Sequence, residues 1–216
     1  MSNSTLAKKD YLIVSLIGLF FGLLLSPILS NIKLPFLELN AATIVLIVIG
    51  FVVFADFALW AASLVSRRIP IALQVAKFCA IGALNTLLDL GVLNILIFLT
   101  AIATGYWYSI FKGVSFLAAA TNSYFLNRYW TFGMKEDANI REFGQFLAVS
   151  LIGFGLNVGV ASLLVNAVGH PVSISPERWA NIGALVATVC AMGWNFIGYK
   201  FIVFKGLPQK SEPLGE

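Results

Sequence analysis

The sequence predicts an all-α membrane protein. Six transmembrane helices form one bundle, the last four arranged as two parallel two-helix repeats, with both termini cytoplasmic. Three observations predict this. The first is composition: of 216 residues, 59% are hydrophobic and only 11% charged, and the mean hydropathy is +0.90. A water-soluble domain carries roughly 25% charged residues because its surface faces water. The second is the presence of six apolar stretches, each near the ~20 residues that cross a hydrocarbon core. The third is that basic residues alternate between loops.

The six stretches run Tyr11–Leu29, Ala42–Ser66, Val75–Leu99, Trp107–Leu126, Phe143–Val168 and Trp179–Val203. The first is too long, and too poor in small residues after its apolar core, to read as a cleaved signal peptide. Pro27, Pro35, Pro70, Gly105, Gly133, Gly169, Pro171 and Pro176 punctuate the stretches, and all seven prolines are expected at span ends, in loops or in the tail. One side of the membrane then carries 11 Lys and Arg, among them Lys8, Lys9, Arg67, Arg68, Lys77, Arg128, Arg141, Lys200 and Lys210. The other side carries 3: Lys33, Lys112 and Arg178. Basic residues are retained in cytoplasmic loops, so this bias places both termini in the cytoplasm. Trp107, Tyr108, Tyr129, Trp130 and Trp179 fall where interfacial aromatic belts belong.

The net charge of +4 reflects these loops, and no nucleic-acid-binding motif accompanies it. Cys79 and Cys190 lie inside apolar stretches and read as small core residues. The sequon Asn3-Ser4-Thr5 sits in the terminus assigned to the cytoplasm and reads as chance. His170 has no Cys, Asp or Glu at ligand spacing, so no metal is expected. The chain lacks a phosphate-cradling glycine motif and a nucleophile–base pair. Neither an enzyme nor a cofactor is therefore expected.

The last four stretches are related in pairs. At an offset of 68, six of twenty positions from Lys77 and Gln145 onward are identical, and Asp89 falls opposite Asn157. At an offset of 72, Tyr124–Phe132 aligns with Phe196–Phe204, and Arg128 falls opposite Lys200. Parallel repeats pack about an axis along the membrane normal, with a substrate path at their interface. Duplication kept only for packing is the alternative.

These residues carry a resemblance to the GtrA-like family of small membrane proteins, over about residues 75–204. The matching stretches are Phe78-Cys-Ala-Ile-Gly82-Ala-Leu-Asn85-Thr86-Leu-Leu-Asp89, then Asn122-Ser-Tyr-Phe-Leu-Asn127-Arg128-Tyr-Trp130-Thr131-Phe132, then Phe146 through Asn157, and finally Asn195 through Phe204. Asn195 stands nine residues before its terminal Phe, where the first repeat has Ser123 with Asn122 beside it. The resemblance implies movement of a polyprenyl-phosphate-linked monosaccharide, such as undecaprenyl-phosphate glucose, from the cytoplasmic to the outer leaflet for cell-envelope glycans. It also implies a bacterial inner-membrane location and a partner polyprenyl-phosphate glycosyltransferase. Its core is four spans. The chain accordingly divides into a two-helix extension at 1–70, a GtrA-like domain at 71–206 and a cytoplasmic tail at 207–216.

The candidate substrate-binding residues are Arg128, Lys112, Asp89, Asn85, Asn127, Asn157, Lys200, Asn122 and Asn195. Asp89 lies twelve residues from Lys77, roughly 18 Å along a helix and so near mid-membrane. A carboxylate there costs at least ~2.5 kcal/mol by insertion scales, and function is its default reading. Asn85 lies one turn back on the same face. The alternative is that Asp89 bonds to Asn157 and only joins helices. Arg128 and Lys200, at equivalent span ends, are expected at one cytoplasmic mouth with Lys77, where Arg128 offers a planar fork to a phosphate. Topology alone is the alternative reading of these cations. Lys112 sits inside its span; it either snorkels outward or meets the phosphate on the outer half. Asp56, outside the family core, calls for a cation or polar partner.

Three functions follow. The first is a lipid-linked-sugar flippase, with membrane lipid and the lipid-sugar as partners. The second is a membrane scaffold for the glycosyltransferase, docking through the polar segment Gly133–Glu142. The third is a small drug–proton exporter. A homo-oligomer is left open.

Overall fold

A computed structural model describes residues 6–32, 40–102, 104–168 and 176–205. The sequon at Asn3–Thr5, Lys33, His170, Lys210 and residues 207–216 lie outside them, as does the side chain of Arg178. Every regular element among the described residues is helical. Six α-helices follow in order: α1 Lys8–Ile32, α2 Ala41–Ser66, α3 Ala72–Thr100, α4 Gly105–Leu126, α5 Ile140–Ser162 and α6 Pro176–Gly198. Three short π-helical turns extend α4, α5 and α6, at Asn127–Thr131, Leu163–Val168 and Tyr199–Val203.

The helix ends have local causes. Asn40 caps α2 by accepting from the Thr43 amide at 2.9 Å, and Asn139 caps α5 by accepting from the Glu142 amide at 2.8 Å. Ala101 closes α3 in the left-handed conformation (φ 57°), with its amide donating to the Ile97 carbonyl. Pro176 opens α6, where its missing N–H costs no helical bond. Pro27 lies near the end of α1, which continues to Ile32.

Among the described residues, four helical segments are long and apolar enough to cross a membrane: Ala41–Ser66, Ala72–Thr100, Ile140–Val168 and Ile182–Val203. The expectation of six rests, for the other two, on less uniform helices. Helix α1 opens with Lys8, Lys9 and Asp10, and α4 carries Lys112, Thr121 and Asn122.

The chain forms two compact units, Met1–Gly133 and Met134–Glu216. In the first, α1 and α2 are antiparallel: Ser15 faces Asp56, Gly18 faces Phe51 and Gly22 faces Val48. Gly18 and Gly22 let the two backbones touch. A Cβ on Gly22 would stand 2.6 Å from the Val48 Cα, and one on Gly18 would stand 2.7 Å from the Phe51 carbonyl oxygen. Small residues four apart are the usual means of close helix approach in lipid. Gly22→Leu is expected to force the pair apart and cost about 1–3 kcal/mol or more, seen as a lower Tm in detergent; an unchanged Tm would refute the close packing. Val14, Ile17, Leu59, Ile81 and Trp130 form the buried core of this unit. In the second unit, α5 and α6 are antiparallel, with Gly198 against Val149 and Gly183 against Val165.

Candidate functional site

Polar side chains line the contact between α3 and α4 in rungs. Asn122 Nδ2 donates to Asn85 Oδ1 at 2.8 Å. Further along, both oxygens of Asp89 are engaged. Ser115 Oγ donates to Oδ1 at 2.6 Å, and the Lys112 ammonium forms an ion pair with Oδ2. Ser115 is fully buried, whereas the side chains of Asp89 and Lys112 are 22% and 45% exposed. The rungs arise because Asn85 and Asp89 stand one turn apart on α3, and Ser115 and Asn122 two turns apart on the antiparallel α4. The four groups face each other along the seam, with a carboxylate and an ammonium at one end and an amide pair at the other.

Within this unit Lys112 neutralises Asp89. The Asp89 carboxylate is held by Lys112 and Ser115, whereas Asn157 Nδ2 donates to Thr188 Oγ1 at 3.3 Å within the second unit. Thr86, beside the predicted stripe, turns its hydroxyl back to the Gly82 carbonyl of its own helix at 3.1 Å.

A second polar cluster closes one end of the same unit. Asp10, in the first turn of α1, accepts from Lys77 Nζ at 2.5 Å, from Trp130 Nε1 at 2.8 Å and from the Ala7 amide at 2.9 Å. The Lys77 ammonium also lies 5.3 Å from the Trp130 ring centre. Partial burial alone would raise the Asp10 pKa. The bond and charge of Lys77, with the Ala7 and Trp130 donors, outweigh it and hold the carboxyl below its ordinary range. Lys77 is therefore engaged by the leading helix, not standing free at an open mouth. Asp56 has its polar partner in Ser15, whose hydroxyl reaches the carboxylate at 2.9 and 3.0 Å.

Arg128 lies in the π-helical turn Asn127–Thr131. Its side chain is only 1% exposed, engaged within the chain, and its guanidinium stands 5.0 Å from the Tyr129 ring centre. Asn127 Nδ2 donates to the Ser123 carbonyl at 2.9 Å, but Asn127 Oδ1 and Thr131 Oγ1 are buried without a partner among the described residues. The turn ends where the Phe132 amide donates to the Asn127 carbonyl, five residues back, at 2.8 Å. The same geometry recurs 72 residues later, where the Phe204 amide donates to the Tyr199 carbonyl at 2.8 Å. Two of the three π turns thus fall on the aligned segments. Lys200, half-buried in the later turn, stands 5.9 and 5.7 Å from the Phe196 and Phe201 rings.

The second unit carries a neutral polar set. Ser150 and Tyr199 share a 2.7 Å bond between hydroxyls, and Trp194 Nε1 donates to the Val149 carbonyl at 3.1 Å. The Asn195 amide lies against Gly153, where any Cβ would collide with it, and its Oδ1 is buried without a partner among the described residues. Asn157, Asn195 and Lys200 all lie in this second unit.

Residues 77–204 match the family described as GtrA/DPMS, transmembrane domain. The chain belongs to this family. It is also 33% identical over 130 residues to the uncharacterized membrane protein YngA of Bacillus subtilis (strain 168), covering 60% of this chain and 78% of that protein. No solved structure matches. The GtrA/DPMS match begins at Lys77, so α1 and α2 stand outside it, and Asp10 of α1 grips its first residue.

Three features of this family member escaped sequence reasoning. The Asp89–Lys112 pair had a signal: opposite charges inside consecutive spans, each too costly alone. The Gly18/Gly22 contact had one too, a Gly-x-x-x-Gly in an apolar stretch. Asp10 had none, since an acidic residue after two lysines near a terminus reads as solvated.

Proposed function

We propose that the chain moves a polyprenyl-phosphate-linked monosaccharide from the cytoplasmic to the outer leaflet of a bacterial inner membrane. On this reading all six helices cross the bilayer, both termini are cytoplasmic and the two related helix pairs are the halves of the transporter. The observation that carries it is the polar seam between α3 and α4, from Asn85–Asn122 to Asp89–Lys112–Ser115. A phosphate-sugar cannot cross hydrocarbon unaided, whereas its polyprenyl tail is at home there. A seam of amides, a hydroxyl and an ion pair offers the head both donors and acceptors, and the ammonium exchanges its carboxylate for the phosphate. No chemical step is involved, so the protein is a transporter and not an enzyme.

The test is reconstitution into liposomes with a polyprenyl-phosphate glucose and an impermeant reagent for the head group. Head groups of the inner leaflet are expected to become accessible only with protein present. Accessibility at the empty-liposome level would end the transport reading.

One observation favours a scaffold instead. Lys135, Glu136 and Asp137 are exposed, and Ile140 beside them is 84% exposed. An apolar side chain amid exposed charges suits a docked glycosyltransferase. That role needs no membrane ion pair. Under it, Ile140→Asp disrupts co-purification with the enzyme while liposome transport is absent throughout.

A further inference from the structure

Helices α1, α2 and α3 enclose a slot of about 340 Å³. Its walls are apolar and small: Gly18 on α1, Ala55 and Ala58 on α2, and Ala76, Ala80 and Ala83 on α3. Phe54, Ala58 and Cys79 are exposed, so the slot opens sideways where lipid would lie. The volume falls at the small end of ligand clefts, roughly 300–1,000 Å³. At ~30 Å³ per water-sized group it holds roughly eleven such groups, or about two isoprene units of one chain.

The slot itself is apolar throughout, and a polar cluster lies beside it. Val14, which lines it, stands one turn above Asp10 on α1, and Ala76 and Ala80 flank Lys77 on α3. Trp130 packs in the core cluster with Val14, Ile17 and Leu59, three residues of the slot wall. The Asp10–Lys77–Trp130 clasp therefore sits at the head of an apolar slot. Lys77 and Asp10 are 12% and 13% exposed, and Trp130 is 6% exposed. An ammonium and an indole N–H converge on one anionic oxygen, a donor set that serves a phosphate oxygen equally well.

We propose that the slot seats the head-proximal isoprene units of a polyprenyl phosphate, that Lys77 and Trp130 take its phosphate, and that Asp10 holds their place until the lipid displaces it. This deepens the transport reading and rests on it for the choice of lipid. The two halves of the site match the two halves of one molecule, a single chain ending in an anion. A two-chain phospholipid exceeds the slot. The leading hairpin, which lies before the family match, thereby acquires a role as lipid entry site and gate.

The test uses the full chain in detergent, with Cys190→Ser leaving Cys79 as the single thiol. Farnesyl phosphate is expected to slow maleimide labelling of Cys79, and farnesol to do so far less. Asp10→Asn removes the internal competitor, so half-protection should come at about tenfold lower farnesyl phosphate, the worth of one charge-assisted contact. Adding Lys77→Gln to Asp10→Asn should abolish the gain. Should Asp10→Asn fold poorly, Ala58→Phe fills the slot from α2 without touching the clasp, and it should lose the rise in Tm that farnesyl phosphate gives. Equal protection by farnesol or by phosphatidic acid, no gain in Asp10→Asn, or an undiminished Tm rise in Ala58→Phe would each overturn the proposal. The liposome assay separates the two readings. Transport without Cys79 protection removes the slot alone, whereas protection without transport removes the transport role and leaves the site.

Discussion

Neutralising Asp89 and Lys112 together is expected to give a folded protein that no longer transports, while neutralising either alone damages folding. Asp89 lies on α3, which is long and apolar enough to cross a membrane, Lys112 lies on α4 against it, and each is the other's counter-ion. Removing one partner strands the other charge in an apolar setting, at a cost of about 2.5–3.5 kcal/mol. The two single variants should differ. In Asp89→Asn the lysine stem, already 45% exposed, can carry its ammonium toward the interface. In Lys112→Met the short aspartate side chain cannot move, and Ser115 alone is left to hold it. Lys112→Met should therefore be the more destabilised, and Asp89→Asn should fall nearer the low end of that range. Asp89→Asn combined with Lys112→Met leaves no charge in the seam, so its Tm should recover most of the loss, the signature of coupling in a double-mutant cycle. If the pair only joins helices, the double variant transports normally; if the ammonium carries the phosphate, it is folded and inactive. Tm and liposome transport on the three variants decide the matter. Additive losses in Tm would show that the pair is not coupled at all.

The reach of the sequence is clearest at the helix ends. The stretch read as Ala42–Ser66 is α2 at Ala41–Ser66, and Trp107–Leu126 is α4 at Gly105–Leu126. Hydropathy marks these limits because a backbone in lipid must satisfy its own hydrogen bonds, which a continuous helix does. Starts shift outward by a few residues where a polar cap outside the apolar run takes the first turn, as Asn139 does for α5. The candidate site was legible in kind more than in pairing. Asn85, Asp89, Asn122 and Lys112 stood out because each is expensive in a span, but periodicity describes one helix at a time. Whether Lys112 meets Asp89 depends on the register of α4 against α3, which turns on side-chain packing along the whole contact. The π turns were invisible for a related reason. A five-residue backbone bond at Asn127–Phe132 has no composition of its own, although the aligned segments showed where it would recur.

Arg128 is where sequence and structure disagree most, and its replacement should have the second large effect. At a span end in a family motif it reads as a phosphate fork, yet it is 1% exposed and engaged inside the chain. A guanidinium so enclosed serves contacts of the chain itself, among them the Tyr129 ring. Arg128→Ala is thus expected to cost about 3–5 kcal/mol, the cost of leaving internal partners of a buried charge unpaired, and to appear first as lost folded yield. Arg128→Lys keeps the charge but not the planar fork, so it should recover part of the Tm and not all of it. The same turn supplies a control of opposite sign. Thr131 Oγ1 is buried with no partner among the described residues, so replacing the hydroxyl by a methyl in Thr131→Val removes a desolvation cost and should hold or raise the Tm. If instead Arg128→Ala keeps the wild-type Tm and loses only its affinity for a polyprenyl phosphate, the guanidinium is a ligand group reached by opening of the turn. Thr131→Val would then be expected to lose affinity as well, because its hydroxyl lies in the turn that the phosphate would enter. Thermal melts in detergent beside binding of farnesyl phosphate, on these three variants, separate a residue that builds the end of α4 from one that waits there for substrate.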